Sequence, residues 1–305
     1  MRCLVIGGTG FIGKNLIEML IDNDIEVRCL DRSKIAWGSK NIEFIEGDFT
    51  AAHLLDSIFD GCDTVIHLAT TVIPQTSNDD PEFDISTNLV GAVRILEASV
   101  KHKVRKVIFM SSGGTVYGNT EDAPILETHS TNPTCSYGII KLTIEKYMRL
   151  FHQLYDLNTC SVRLANPYGR YQRGDINQGV IAVFCHKMLN GIPFEIWGDG
   201  SVRRDFIYID DVVQALLKII NTDEYIGEIN IGSGNAVSIK EIVACVQQLV
   251  NLDGNVIYKP SRNFDVSSIS LDITKAQQLL GWNPKISMKE GIMRTIEWHR
   301  SMRSM

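Results

Sequence analysis

Several things are missing from this 305-residue sequence, and each absence excludes a class of protein. No apolar run reaches the roughly 20 residues that a spanning helix needs, so no integral membrane segment is expected. No long run of Lys or Arg occurs, and 30 basic against 36 acidic residues leave a net charge of -6. That balance favours solubility and argues against a nucleic-acid partner. The seven cysteines (Cys3, Cys29, Cys62, Cys135, Cys160, Cys185 and Cys245) are widely spaced, odd in number and form no CxxC pair. A disulfide framework and a metal site are therefore not expected, and a reducing, cytoplasmic setting is. MRCLVIGG runs directly into a strand and a glycine loop, so no signal peptide is expected. No internal repeat, low-complexity tract or Pro/Ser linker separates the chain into independent parts.

What is present describes an ordinary globular protein. Hydrophobic residues make up 44% and charged residues 22%, mean hydropathy is near zero, and the length suits about two domains. Residues 2–6, 25–31, 42–47, 64–69, 106–112 and 158–164 read as short apolar strands. Helical spacing fills FIGKNLIEMLI, TNLVGAVRILEASVKH and residues 136–155 between them. This alternation predicts an α/β fold with a doubly wound, parallel, Rossmann-type sheet. After NPYG at 166–169 the pattern loosens, with a helix near 178–190, a glycine turn in WGDGS and helices at 238–250 and 287–300. The expected division is a nucleotide-binding domain over 1–165, returning near 206–234, and a smaller, mainly substrate-binding region over 166–305.

GGTGFIG places Gly7, Gly10 and Gly13 at three-residue intervals, directly after the first strand and into the first helix. Glycine there permits a tight turn, close approach of backbone to a pyrophosphate, and close packing of helix on strand. Phe11 and Ile12 open that helix, whose N-terminus offers amide donors. Asp31 lies 18 residues beyond Gly13, at the end of the second strand. A carboxylate there accepts from both hydroxyls of an adenosine ribose and repels a 2'-phosphate, which favours NAD. Arg32 beside it keeps NADP open. Asp48 and Phe49, after the third strand, could bracket the adenine, or Asp48 could be a plain loop carboxylate. In HLA, His67 reads as a packed strand-end residue, with Leu68 and Ala69 following it at the cofactor.

Tyr137 and Lys141 in SYGIIK are four residues apart and share one helix face. An ammonium beside a phenol favours the phenolate, so this spacing predicts a tyrosine pKa drawn down toward neutrality and a general acid/base.

Taken in order, GGTGFIG, Asp31, GD at 47–48, HLA, TNLVG, SSGGTVYG, SYGIIK, RLANPYG, WGDGSVRRDFIYIDDV, NIGSG and PSRNFDV resemble the extended short-chain dehydrogenase/reductase family. Within it the chain is similar to the UDP-glucose 4-epimerase-like sugar-nucleotide enzymes, over essentially its whole length. The resemblance implies that Tyr137 takes the proton of a sugar 4-hydroxyl while hydride passes from C4 to NAD, and that hydride returns to the opposite face of a 4-keto sugar. It implies that Lys141 holds the nicotinamide ribose, that Asn166 contacts the sugar nucleotide, and that Arg204 and Arg262 grip its pyrophosphate. Asn88 reads as support for the helix and strand. Residue 113, where the family carries a catalytic Ser or Thr, is glycine here. Thr115 is the favoured substitute, because an extended chain returns it to the same side as Gly113 and epimerases of this group carry threonine there. Ser112 and a held water are the other candidates.

A 4-ketosugar reductase using NADPH is the alternative, supported by Arg32. A dehydratase would resemble Thr-Asp-Glu at 113–115, against Gly113, Gly114 and Thr115 here. A dinucleotide-sensing regulator is disfavoured because Tyr137 and Lys141 are both intact. The resemblance also implies surface-polysaccharide synthesis as the setting, and a homodimer that pairs helices around 88–101 and 137–153. Which sugar, nucleotide or lipid-linked sugar diphosphate is used stays open.

Overall fold

A computed structural model describes residues 1–34, 42–120, 124–176, 178–252, 255–260 and 268–302. Thirteen strands occur among the described residues: β1 (Arg2–Ile6), β2 (Glu26–Asp31), β3 (Ile42–Glu46), β4 (Thr64–His67), β5 (Lys106–Ser112), β6 (Asn158–Leu164), β7 (Asn166–Tyr168), β8 (Phe194–Trp197), β9 (Arg203–Tyr208), β10 (Gly227–Ile231), β11 (Ala236–Ser238), β12 (Val256–Lys259) and β13 (Ser268–Ile269). The helices are α1 (Phe11–Asp22), α2 (Ala52–Phe59), α3 (Pro81–Asp84), α4 (Val90–Lys101), α5 (Ser136–Tyr155), α6 (Val180–Leu189), α7 (Ile209–Asn221), α8 (Ile239–Val250), α9 (Thr274–Leu280) and α10 (Met288–Ser301). None of the described helices is long and apolar enough to cross a membrane.

The chain forms two compact units. The first comprises Met1–Asn119, Glu127–Leu164 and Val213–Asn230. Its seven-stranded sheet has the order β10-β6-β5-β4-β1-β2-β3. Strands β3, β2, β1, β4, β5 and β6 run parallel. Helices cover both faces of such a sheet, which is why β1, β4 and β5 are nearly continuous apolar runs rather than alternating ones. Leu4, Ile6, Val65, Val107 and Phe109 of the sheet pack with Ile95 and Leu96 of α4 and Ile140 and Ile144 of α5. Each such buried side chain contributes about 1.5–3 kcal/mol. The chain builds outward from β1 through β2 to β3, then reverses and lays β4 on the other side of β1. Diverging loops at such a switch point open a crevice beyond the carboxyl ends of the strands.

Two local departures from the sequence reading lie beside that crevice. The helix expected to open at TNLVG begins earlier, at α3, and runs through one π turn, Ile85–Leu89, before α4. Within it the buried Asn88 turns its side chain inward. The segment after β5 is not extended: residues 113–115 form a turn, with the Val116 amide bonded to the Ser112 carbonyl at 3.2 Å. Two adjacent glycines make that turn cheap, so the alternation argument for Thr115 fails and its position must be judged from its contacts.

The second unit comprises Thr120–Leu126, Ala165–Val212 and Ile231–Met305. A small sheet orders β11-β9-β13, with β7 also pairing with β9, and β12 pairs with β8. Buried Asp205 of β9 accepts from the Ser233, Gly234 and Leu271 amides, which fixes the glycine turn of NIGSG against the strand.

Candidate active site

The glycine loop joins β1 to α1 at the switch point. Gly7 has φ +86, and a β-carbon on it would stand 2.7 Å from the Ala69 amide nitrogen after β4. A β-carbon on Gly13 would meet the Gly7 carbonyl and Gly8 Cα at 2.5 Å. Side chains are thus excluded where a phosphate must approach. Gly10 is the N-cap of α1 and no side chain caps it, so the first-turn amides of Phe11, Ile12 and Gly13 remain available to an anion. The Leu68 and Ala69 amides both bond the Ile6 carbonyl, which holds this part of the HLA segment against β1. Asp31 ends β2 with one carboxylate oxygen on the Thr9 amide at 3.0 Å and the other on the Arg32 amide at 2.7 Å, so the acid is held beside the loop. The Arg32 side chain is exposed. Asp48 caps its own turn through the Thr50 amide and hydroxyl. Phe49 is buried, 5.3 Å from the His67 ring and against Gly91, so only its backbone is left for an adenine. A small-residue cradle, a bare helix N-terminus and a fixed carboxylate together fit a dinucleotide.

On α5, Tyr137 and Lys141 lie one turn apart, and both border a small cavity of about 10 Å³ together with His67, Asp84 and Asn88. Lys141 is buried, donates to the Met110 carbonyl of β5 at 2.8 Å, and stands 4.6 Å from the centre of the Phe109 ring and 5.3 Å from that of Tyr137. Burial draws its pKa down to about 8, against the charges of Asp84 and Glu145, which favour its proton. Tyr137 shows the opposite of the sequence expectation: burial pushes its phenol above the ordinary value, and the ammonium beyond the ring face does not offset that. In this state Tyr137 is a neutral phenol, and further positive charge is required to make it a base. Burial also lowers His67 to about 3, leaving a neutral ring between Phe49 and Phe109 rather than an acid or base.

Sequence reasoning missed Asp84. It is wholly buried, accepts from Ser136 Oγ at 2.8 Å and from Asn88 Nδ2 at 2.9 Å, and thereby ties the start of α5 to the π turn. Asn88 also accepts from the Thr71 amide at 3.0 Å, which is architectural support. The trace that Asp84 leaves in the sequence is an acid four residues before Asn88.

Thr115 packs against the residue after Tyr137: a β-carbon on Gly138 would meet the Thr115 carbonyl at 2.8 Å and its Cβ at 3.2 Å. Its Oγ1 is buried with no hydrogen-bond partner among the described residues, an expensive arrangement unless a ligand supplies one. Ser112 ends β5 opposite Leu164 and is half-buried. In the second unit, Asn166 of β7 donates to the Asp205 carbonyl at 2.8 Å and pairs with Phe206 of β9. Arg204, two residues earlier on β9, donates to the Arg203 carbonyl. Arg262 lies outside the described residues.

Comparison with known proteins places the chain in a family. Residues 3–232 match the model of the NAD dependent epimerase/dehydratase family, and the chain belongs to that family. The UDP-glucose 4-epimerase of Mycolicibacterium smegmatis is 35% identical, with 99% of each chain covered. The dTDP-4-dehydro-6-deoxyglucose reductase of Escherichia coli is 32% identical, with 96% of each covered. The crystal structure of UDP-glucose 4-epimerase with UDP-glucose from Thermotoga maritima superposes with a TM-score of 0.94 at 35% identity, covering 99% of this chain and 100% of that one.

Proposed function

We propose that the protein inverts C4 of a UDP-hexose or UDP-N-acetylhexosamine. The observation that carries this is the pairing of Tyr137 and Lys141 on one turn of α5, in the same unit as the glycine cradle and Asp31. Gly7, Gly10 and Gly13 with the Phe11 and Ile12 amides would hold the pyrophosphate of NAD, and Asp31 its adenosine ribose. When bound, NAD supplies a hydride acceptor, a hydride donor and positive charge at the site. Tyr137 Oη takes the proton of the 4-hydroxyl and gives it back after the sugar has turned over. The Lys141 ammonium stabilises the phenolate in between and holds the nicotinamide ribose. Thr115 Oγ1, buried and without a partner among the described residues, bonds the reacting sugar oxygen. Asn166, Arg204 and Arg262 hold the sugar nucleotide.

The α5 stripe of Ile139, Tyr147, Leu150 and Leu154, exposed by 36–61%, supports a homodimer, and surface-polysaccharide supply in the cytoplasm is the proposed setting. The reductase reading rests on the exposed Arg32 and the similarity to the Escherichia coli reductase. Denaturing freshly purified protein and identifying the released nicotinamide separates the two. Near-stoichiometric NAD or NADH, followed by C4 inversion of UDP-glucose or UDP-N-acetylglucosamine, is the expected result. An empty protein that binds NADPH more tightly than NADH overturns it in favour of the reductase.

A further inference from the structure

Beneath α5 lies a buried polar network that the reaction as derived does not use. Glu145, one turn beyond Lys141, is wholly buried and pairs with Arg163 of β6 at 2.7 Å. Glu145 Oε1 also accepts from Ser111 Oγ of β5 at 2.5 Å. From Arg163, Nη1 donates to Tyr117 Oη at 3.1 Å and to the Glu127 carbonyl at 3.0 Å. Tyr117 Oη in turn donates to Asn230 Oδ1 of β10 at 2.7 Å, and the Arg163 guanidinium lies 4.9 Å from the centre of the Tyr117 ring. Ser111 and Tyr117 are the two ends of the segment that carries Thr115, and both are fastened to the same ion pair. Between them sit Gly113 and Gly114, and a side chain on Gly114 would meet nothing within 4 Å. The turn is held at its flanks: Gly113 is buried with its amide on the Leu164 carbonyl at 2.8 Å, Val116 is wholly buried, and Tyr117 follows it into the clamp.

We propose that Tyr117 is a positioning residue: its hydroxyl, clamped by Arg163 and Asn230, fixes the 113–116 turn so that Thr115 Oγ1 faces the reacting oxygen. The clamp matters because a glycine stands at 113, so the hydroxyls nearest in sequence, on Ser112 and Thr115, sit on or beside a turn that has no side-chain anchor at Gly113 or Gly114. The inference rests on the epimerase reading for its kinetic arm, while its structural arm does not depend on that reading.

The test is Tyr117→Phe in the full chain, which keeps the ring and removes both hydroxyl bonds, with Ser111→Ala as the second variant should the first fail to fold. Amide exchange over residues 114–116 is expected to rise about tenfold while exchange in α5 is unchanged. With the UDP-sugar that the wild type inverts, kcat falls about tenfold and KM stays within about twofold, because one hydroxyl is misplaced while the groups that bind the substrate stay where they are. Adding Gly113→Ser supplies a hydroxyl nearer the strand end and restores kcat to within about threefold, without restoring slow exchange. Unchanged exchange at 114–116, unchanged kcat, or failure of Gly113→Ser to rescue each overturns the proposal. A wild type that inverts no UDP-sugar sinks the epimerase reading instead, and the exchange result then decides the clamp alone.

Discussion

Two buried lysines flank the same strand and do opposite things. Lys106 begins β5 with no exposed surface, and its Nζ donates to the Ile219 carbonyl at 2.8 Å and to the Thr222 carbonyl at the end of α7. Arg105 joins it there, on the Ile220 carbonyl at 2.8 Å. Cations at a helix C-terminus satisfy orphan carbonyls and suit the helix dipole, so this end of β5 is closed chemistry. Lys141 lies over the other end, almost as deeply buried, with one hydrogen bond among the described residues, to Met110, and a small cavity beside it that Asp84 and Tyr137 also line. Burial lowers the pKa of both. What separates a structural lysine from a reactive one is how many of its donors the fold has already occupied.

The sharpest way to break this contrast is at the group Lys141 serves. Tyr137→Phe should cut turnover by about 10³-fold or more, the range for removing a general acid/base, while NAD stays bound. Activity near the wild-type level would end the assignment. Lys141→Met should cost about 10²- to 10³-fold in kcat, since the phenol then loses the ammonium that favours its ionised form. The same variant should be more stable than the wild type at pH 7. The native Lys141 titrates near 8 and the unfolded one near 10.5, so between these values the unfolded chain binds more protons and stability rises with pH. The wild type therefore carries a cost of about 3 kcal/mol below pH 8, which disappears between 8 and 10.5. Urea melts of both proteins across that window should converge, and a gap that does not change with pH would mean Lys141 is not desolvated as described.

Much of this contrast is legible in the sequence on one side only. GGTGFIG, Asp31 and the Tyr137/Lys141 spacing can be read because each is a local pattern whose geometry follows from a single turn or helix. Lys106 cannot: in KVIFMSS it looks like a strand-edge charge, and its partners at 219 and 222 arrive from more than 110 residues away. Glu145 and Arg163 likewise read as an ordinary helix acid and strand base until the fold buries them together. The tyrosine pKa escapes a sequence reading for a related reason. Spacing shows that Lys141 is near Tyr137, but desolvation depends on everything else packed there. The turn at 113–115 escapes it because strand alternation does not extend past the glycines that end it.

Thr115 tests whether the reactive end depends on an unpaired hydroxyl as well as an underused ammonium. Thr115→Val keeps the shape and should lower kcat by about 10- to 100-fold. Because Oγ1 has no partner among the described residues, the substitution should not destabilise the fold, and Tm should hold or rise. A loss of stability without a loss of rate would reassign the hydroxyl's role to Ser112 or to water.

Lys106→Met is the control at the closed end, and two terms compete in it. Removing a desolvated ammonium relieves a cost, which alone would stabilise the protein. Removing it also strips the Ile219 and Thr222 carbonyls of a buried donor, at about 1–3 kcal/mol for each group left unsatisfied. Because Lys106 holds two carbonyls and Lys141 one, the second term should win at 106, where the first wins at 141. The expected outcome is a destabilisation of about 1–2 kcal/mol with kcat and KM within about twofold of the wild type. A Lys106→Met variant more stable than the wild type would show that helix-end carbonyls repay less than the desolvation of the ammonium. The two lysines would then differ in their neighbours but not in their energetics.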